Sequence, residues 1–195
     1  MTLILASSSP RRRQLLTEAG YDFEIVEPDT TAECGICSRE TPPEMVARLA
    51  YQKAGNVIEK VDSGVVIACD TVAECVGIIL GKPENRQHAR EMLHRLRGKP
   101  HAVYSGLCVW DKSSDKRSVK VEVSRLRMDS VSDSEIENYL DTELWVGKSG
   151  AFGFQDGPPW IHLLEGTADN VVGLPMDALR TLLVEFGYPF RQTAK

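Results

Sequence analysis

The sequence has no long apolar run and no excess of positive charge. No window approaches the roughly 18–20 apolar residues that a membrane-spanning helix needs. Acidic residues number 28 and basic residues 23, which gives a formal net charge of −5. Aromatic residues make up only 7% of the chain, and they do not alternate with basic residues as base-stacking surfaces do. We therefore expect neither a membrane nor a nucleic acid as a partner.

Cysteine is sparse and odd in number, with five residues in a chain of 195. A chain of this length buries enough apolar surface to fold without disulfides, so free thiols in a reducing cytosol are expected. Cys34 and Cys37 form a C-x-x-C pair, but a zinc site needs further ligands, and the four histidines occur singly. The pair lies in a polar loop rather than at the start of a helix, which disfavours a redox centre.

The first residues differ from a secretory signal, because the apolar stretch is only about five residues long and the arginines follow it. We therefore expect a cytoplasmic protein. The sequence contains no repeats, low-complexity tracts or linkers, so residues 1–195 are expected to form a single domain.

Hydrophobic periodicity predicts an α/β fold with a mixed parallel and antiparallel sheet. Apolar runs predict strands at 2–6 and 23–26, within GVVIACDTVAECVG with an interruption at Asp70-Thr71, in a hairpin formed by 101–111 and 118–128, and near WIHLLEG. Capping and stop signals predict helices from Pro10 to Gly20 with Ser9 as the cap, from Thr41 onwards, from about Arg86 to Leu96, from Ser132 to near Leu140, and from Pro175 to Gly187.

The segment SSSPRRR, residues 7–13, follows the first predicted strand and begins the first helix. Backbone N–H groups at a helix N-terminus form a natural anion site, and Arg11 and Arg12 suit bidentate binding of phosphate oxygens. The alternative is a capped helix with a solvated basic first turn. Cations at that end oppose the helix dipole at a cost of a few tenths of a kcal/mol to about 1 kcal/mol each, so the pattern favours a bound anion.

Asp70 follows the apolar β run VVIAC, where a carboxylate is costly unless it is paired, hydrogen-bonded or bound to a metal. It is either a general base or metal ligand at a strand end, or a turn residue of a hairpin, and the residues alone leave both open. Lys53 lies on an apolar helix face, which by itself favours a side chain that reaches out to solvent. Lys82 lies in GKP, which lacks the pattern of a Walker A loop, so a surface loop is favoured there.

Together these segments supply an arginine pair, lysine-bearing loops and several carboxylates, among them Asp29 and Glu33 in the polar loop before the second helix. The set suits phosphoryl chemistry on a nucleotide with Mg²⁺ or Mn²⁺. The G-x-S-x-G elbow of a serine hydrolase does not occur. The residues by themselves do not decide which phosphate is attacked.

The chain resembles the Maf family of nucleoside triphosphate pyrophosphatases. The motifs are LILASSSPRRRQLL, ARLAYQKA, CDTV, GKP, AREMLHRLRGKPHAVYSG, GAFGFQDG and NVVGLPM, which follow one another over nearly the whole chain. The resemblance implies an elongated mixed sheet flanked by helices, with a central cleft, similar to the inosine-triphosphate pyrophosphatases. It also implies a homodimer that uses a divalent metal to hydrolyse a nucleoside triphosphate to the monophosphate and pyrophosphate.

The resemblance also implies roles for individual residues. Asp70 would be the proton acceptor for the attacking water and would share the metal with Glu33, a further acidic catalytic residue. The triphosphate would be bound by Ser7, Arg11, Arg12, Lys53 and Lys82.

Three positions indicate the substrate branch. Members that prefer dTTP and UTP have Arg after the proline, Thr after the Asp and Gln in the late Gly-rich loop, whereas relatives similar to the 7-methyl-GTP enzymes have Trp, Gln and Glu. This chain has Arg11, Thr71 and Gln155, so it resembles the dTTP/UTP branch. Two features depart from the family pattern: DTTAEC is weaker than the usual acidic run before Glu33, and the loop carries the unusual Cys34 and Cys37. These departures bear on metal affinity and redox sensitivity.

The alternative to an enzyme is a nucleotide- or nucleic-acid-binding regulator of septum formation and cell division that performs no turnover, since Maf proteins are associated with septum arrest. The net charge of −5 disfavours nucleic acid. A passive triphosphate binder also gains nothing from an unneutralised carboxylate such as Asp70 at the phosphates. We therefore expect an enzyme, specifically a nucleotide diphosphatase.

Overall fold

The computed structural model of the chain describes residues 2–32, 39–155 and 157–188. In chain order its strands and helices are β1 (Leu3–Leu5), α1 (Pro10–Glu18), β2 (Phe23–Ile25), α2 (Pro42–Ile58), β3 (Val65–Cys75), β4 (Ile78–Leu80), α3 (Arg86–Leu96), β5 (Pro100–Asp111), β6 (Arg117–Met128), α4 (Asp133–Asp141), β7 (Ile161–Glu165), α5 (Ala168–Val172) and α6 (Met176–Glu185). Two single 3₁₀ turns lie at Thr30–Ala32 and Ser149–Ala151. None of the helices in these ranges is long and apolar enough to cross a membrane.

The strands form one mixed sheet, as the sequence predicts. Its order is β2-β1-β3-β5-β6-β7, and β4 pairs with β3 outside this path. β1 runs parallel to both β2 and β3, whereas β4 is antiparallel to β3 and β7 is antiparallel to β6. The predicted hairpin of two long strands is confirmed, since β5 and β6 are neighbours in the sheet.

The described residues group into two compact units. The first unit takes its residues from 1–70, 105–122 and 173–195, and the second from 71–104 and 123–172. This grouping does not test the predicted single domain.

The first unit has a core on each face of its part of the sheet. Side chains of β1, β3 and β5 alternate between the two faces because successive residues of a strand point in opposite directions. One face packs against α1 and α6 through residues that include Leu5, Ile67 and Leu179. The other face packs against α2 through residues that include Ala68 and Ala54. Because both faces are covered, these strands are continuous apolar runs rather than alternating ones.

The second unit packs α3 and α4 against its strands around a single core. Helix α3 contributes Leu93 and Leu96, and α4 contributes Ile136 and Leu140, all of them almost fully buried. A capping box formed by Ser132 and Glu135 begins α4, as the sequence predicts.

The structure corrects the prediction that the run GVVIACDTVAECVG is interrupted at Asp70-Thr71. β3 is one continuous strand, so Asp70 is neither a strand-end residue nor the turn of a hairpin. The strand continues because its two parts have different partners: Val65–Ile67 pair with β1, and Ala73–Cys75 pair with β4. β4 and α5 are short elements that the sequence analysis did not predict.

Gly106 of β5 lies directly against the backbone of α2 in the first unit. A Cβ atom there would lie 2.1 Å from the backbone oxygen of Val46, so Gly106→Ala should lower the free energy of unfolding by about 3 kcal/mol through overpacking. Gly55 of α2 is the matched control, because a Cβ there meets only the Trp110 ring at 3.5 Å. Gly55→Ala should be neutral or stabilising by up to about 1 kcal/mol. Urea unfolding of both variants tests the packing, and equal stabilities would contradict it.

His101 of β5 is buried in the second unit, and its Nε2 has no hydrogen-bond partner among the described residues. Burial lowers the pKa of His101, although a hydrogen bond to the Lys99 backbone opposes this shift. The unfolded chain, in which histidine has a pKa of about 6.5, therefore binds a proton more readily than the folded protein. Stability should fall as the pH drops below that value.

Replacing His101 by Phe removes this titration while keeping an aromatic ring beside Phe152, which the histidine meets edge-on at 5.4 Å. His101→Phe should therefore lose less unfolding free energy than the unchanged protein between about pH 8 and pH 5. Urea denaturation at the two pH values measures the difference. Equal losses in both proteins would show that His101 does not contribute to acid sensitivity.

Candidate active site

In the first unit, a hydrogen bond joins Ser7, which follows β1, to Arg12 in the first turn of α1. Ser7 is 6% exposed, and its Oγ accepts hydrogen bonds from the backbone N–H of Ser9 and from Nη1 of Arg12, each at 3.2 Å. Nε of Arg12 donates to the carbonyl oxygen of Gly173 at 2.8 Å. The guanidinium is therefore fixed by a serine and by the backbone of a segment remote in sequence.

The first turn of α1 carries positive charge without a carboxylate. Ser9 occupies the N-cap position, but its side chain makes no capping hydrogen bond, which corrects the prediction that Ser9 caps the helix. Instead, its backbone N–H is bound by Ser7. The first turn contains no acidic residue, while Arg11 is half-buried and Arg13 is exposed. This end of the helix therefore combines its positive dipole with Arg11 and Arg12, an arrangement suited to an anion.

Lys53 and Asp70 form a buried ion pair in the first unit. Nζ of Lys53, in α2, donates to Oδ1 of Asp70, in β3, at 2.5 Å. The two side chains are 6% and 14% exposed. The expectation that Lys53 reaches out to solvent is wrong, because a carboxylate on the adjacent strand compensates the ammonium inside the protein.

The second carboxylate oxygen of Asp70 is available. Within the described ranges, the only side-chain hydrogen bond of Asp70 is the one that Lys53 donates to Oδ1. Asp70 lies between the segment of β3 that pairs with β1 and the segment that pairs with β4. The carboxylate is thus oriented through one oxygen, while Oδ2 can accept a proton or contact a cation.

The polar loop before α2 is described only in part. Glu33, predicted as a catalytic residue and metal ligand, lies outside the described residues, as do Cys34 and Cys37. Asp29 belongs to the described part, and its two oxygens accept hydrogen bonds from Lys60 at 2.8 Å and from Asn56 at 2.9 Å. These hydrogen bonds lower the pKa of Asp29. Its contacts indicate a role in holding the loop to α2.

In the second unit, the 3₁₀ turn Ser149–Ala151 holds two predicted site segments. Oγ of Ser149 donates to the carbonyl oxygen of Thr71 at 2.8 Å. The N–H of Gly150 donates to the carbonyl oxygen of Gly81, in the GKP loop, at 3.0 Å. Gly150 adopts a φ of 75°, a conformation that glycine reaches at little cost. The turn therefore holds the backbone at Thr71 and at Gly81, which directly precedes Lys82.

The remaining predicted residues of the second unit differ in exposure. Thr71 is half-buried, whereas Lys82 and Gln155 are exposed. The exposure of Lys82 agrees with the prediction of a surface loop at GKP.

Two contributors to the site were not predicted from the sequence. Gly173 supplies a carbonyl to Arg12, and Ser149 anchors Thr71. Gly173 lies inside NVVGLPM, a motif of the family resemblance, and Ser149 immediately precedes another, GAFGFQDG. Their roles depend on backbone contacts, which side-chain chemistry in the sequence does not reveal.

The described thiols are unsuited to nucleophilic chemistry. Cys69, Cys75 and Cys108 are buried, and none of the three forms a disulfide. Burial raises the pKa of Cys108 to about 12 and also raises that of Cys75. The thiolate is the reactive form of cysteine, so these residues behave as small apolar side chains.

The described residues contain no group of three or more His, Cys, Asp or Glu side chains able to hold a metal ion. A site in which the protein supplies all the ligands is not required, because Mg²⁺ in phosphate chemistry is often held by one or two carboxylates together with substrate phosphates and water. Oδ2 of Asp70 fits that pattern.

Comparison with known proteins agrees with the sequence motifs. A family model described as Maf-like protein matches residues 2–186. A dTTP/UTP pyrophosphatase of Rhodopirellula baltica is 53% identical over 186 residues, which cover 95% of this chain and 82% of that protein. A dTTP/UTP pyrophosphatase of Pelotomaculum thermopropionicum is 42% identical over 189 residues, which cover 95% and 97%.

Among solved structures, a HAM1 protein from Coxiella burnetii matches with a TM-score of 0.52 at 14% identity, covering 95% of this chain and 99% of that one. At this identity the likeness concerns the fold alone. Together with the mixed sheet, it confirms the predicted fold class.

Removing only the cation of the buried ion pair should be more harmful than removing both charges. Lys53→Met leaves the Asp70 carboxylate buried without a partner and should lower the free energy of unfolding by about 3 kcal/mol. The double variant Lys53→Met/Asp70→Asn should be more stable than Lys53→Met. Arg125→Met is the control, because its pair with Glu165 is exposed and should contribute less than about 1 kcal/mol. Equal costs for Lys53→Met and Arg125→Met in urea unfolding would contradict the role of burial.

Proposed function

Since this chain belongs to the Maf-like protein family, we propose that it hydrolyses dTTP and UTP to the monophosphates and pyrophosphate. Two similar proteins carry the name dTTP/UTP pyrophosphatase and match this chain over nearly its full length. The structural observation that carries the proposal is the Lys53–Asp70 pair, which orients a carboxylate and leaves one of its oxygens available.

Hydrolysis at the α–β bond requires a water molecule to lose a proton as it attacks phosphorus. Asp70 is suited to accept that proton at Oδ2, because Lys53 occupies only Oδ1. The ion pair prevents rotation of the carboxylate, so Lys53 acts as a positioning residue for Asp70. The family resemblance also supports a contact between Lys53 and the triphosphate.

The substrate phosphates are proposed to bind at the end of β1. Ser7 and Arg12 are already held in place by hydrogen bonds, so little conformational entropy is lost when they meet an anion. Arg11 on the same helical turn adds a second guanidinium. Lys82, on an exposed loop of the second unit, is proposed as a further triphosphate ligand from the family resemblance alone. Positive groups aimed at the leaving pyrophosphate stabilise the charge that develops there.

A divalent cation, Mg²⁺ or Mn²⁺, is part of the proposed function. Asp70 and Glu33 would hold it, as the family resemblance implies. When bound, such a cation neutralises charge on the phosphates and polarises the phosphorus–oxygen bonds.

The preference for pyrimidine nucleotides is assigned to Arg11, Thr71 and Gln155. Ser149 holds the backbone of Thr71 in place, because its hydroxyl donates to the Thr71 carbonyl oxygen.

We expect the enzyme to act in the cytoplasm as a homodimer. The three buried cysteines in the described part of the chain form no disulfide, which fits a reducing compartment.

The test is to incubate the protein with dTTP and Mg²⁺ or Mn²⁺ and to resolve the products. We expect dTMP and pyrophosphate, and removal of the metal by a chelator should abolish turnover. Formation of dTDP and inorganic phosphate would contradict cleavage at the α–β bond. Nucleotide binding without turnover would instead favour the regulator of cell division.

Asp70→Asn should lower kcat at least about a hundredfold, because it removes the proton acceptor, while nucleotide binding is largely retained. Asp62→Asn is the matched control, since Asp62 is an exposed carboxylate of the same unit and should leave turnover unchanged. Circular dichroism checks that both variants fold. A folded Asp70→Asn variant with unchanged kcat would exclude Asp70 as the base.

A further inference from the structure

One edge of β6 in the first unit has no strand beside it among the described residues. β6 lies between β5 and β7 in the sheet, but its pairing with β7 covers only Arg125–Met128. Residues 118–122 of β6, here called the open edge, therefore present backbone N–H and C=O groups along one side. Such an edge is a template for pairing with another chain.

The open edge lacks several features that usually keep an edge strand free of partners. It contains no proline or glycine, and the irregularity in the β6–β7 register lies outside it, between Arg125 and Leu126. Val119 and Val121 are 37% and 36% exposed, although valine normally packs its side chain in a sheet. Lys120 and Glu122, which alternate with these valines, carry opposite charges.

We propose that the open edge pairs with the open edge of a second copy of this chain, in antiparallel orientation and with Val121 opposite Val121. This pairing assigns a surface to the proposed homodimer, and it rests on that part of the proposed function. A two-fold axis through Val121 makes the interface self-complementary. The two sheets would then continue into each other, and the backbone groups of both edges would be satisfied.

Charge complementarity selects this register. Residues directly opposite in an antiparallel pair share one face of the sheet. With Val121 at the axis, Lys120 of each copy lies opposite Glu122 of the other, so two ion pairs form. Centring the pair on Lys120 would place two lysines together, and centring it on Glu122 would place two glutamates together. Both of these registers are repulsive.

The faces of the open edge also agree with this pairing. Nζ of Lys120 lies 3.5 Å from Oε1 of Glu185 in α6, so Lys120 points toward the face that α6 covers. Val119 and Val121 point toward the opposite face, because successive strand residues alternate. The second copy would cover the exposed Val121 with an identical side chain on one face and would add Glu122 beside Lys120 on the other.

Charge reversal tests the register, with the dimer dissociation constant of the full chain measured by sedimentation equilibrium. Glu122→Lys creates two lysine–lysine contacts across the axis and should raise the constant at least about tenfold. Lys120→Glu should weaken the dimer similarly. The double variant Lys120→Glu/Glu122→Lys restores opposite charges and should return the constant to within about threefold of the unchanged protein.

Glu59→Lys is the matched control, because Glu59 is exposed at the end of α2 and gives the same change in net charge. It should leave the dissociation constant unchanged. A monomer at all accessible concentrations would overturn the inference, and so would a double variant as weak as the single ones. The dTTP assay is independent: a monomer that hydrolyses dTTP overturns only the interface, whereas a dimer with the predicted charge dependence supports it even without turnover.

Discussion

The ion pair between Lys53 and Asp70 is the interaction on which the first unit's candidate site depends. An ammonium and a carboxylate that are both largely withdrawn from water are tolerated only together, since either one alone would lose its hydration without compensation. The pair also constrains the rotation of α2, which must present Lys53 to β3 while its apolar residues cover the sheet. The position of α2 on the sheet therefore determines both the packing of the core and the orientation of Asp70, the proposed base.

A charged residue in the middle of a strand is unusual, and the pairing of β3 explains why it is possible here. β1 accompanies β3 through Ile67, and β4 accompanies it from Ala73. Asp70 lies between these segments, on a strand that is paired with a neighbour both before and after it. A rigid strand holds a functional carboxylate more precisely than a loop does, and this precision suits a group that must meet one water molecule.

The positive charges of the site are local in a protein whose formal net charge is −5. Arg11 and Arg12 lie on the first turn of α1, which has no acidic residue. Because Arg12 also binds Ser7 and Gly173, one side chain both supports the fold and prepares an anion site. A negative protein with a local basic site attracts small anions there while it disfavours polyanions elsewhere on its surface.

Family membership, the mixed sheet and the helices follow from the sequence by itself, because capping residues, proline at helix starts and apolar periodicity act over a few neighbouring residues. Ser132 with Glu135 and Pro10 at the start of α1 are examples. β4 is no shorter than β1 or β2, which were predicted, but only Val76 and Gly77 separate it from β3, so the sequence gives no separate apolar run for it.

Only the tertiary structure decided where the charged groups point. Asp70 and Lys53 are 17 residues apart in the chain, and Arg12 and Gly173 are 161 apart. No local pattern encodes which distant partner compensates a buried charge, so the sequence favoured a solvated Lys53 and an interrupted β3. The pairing of strands and the packing of α2 on the sheet bring these groups together, and burial then makes each depend on its partner.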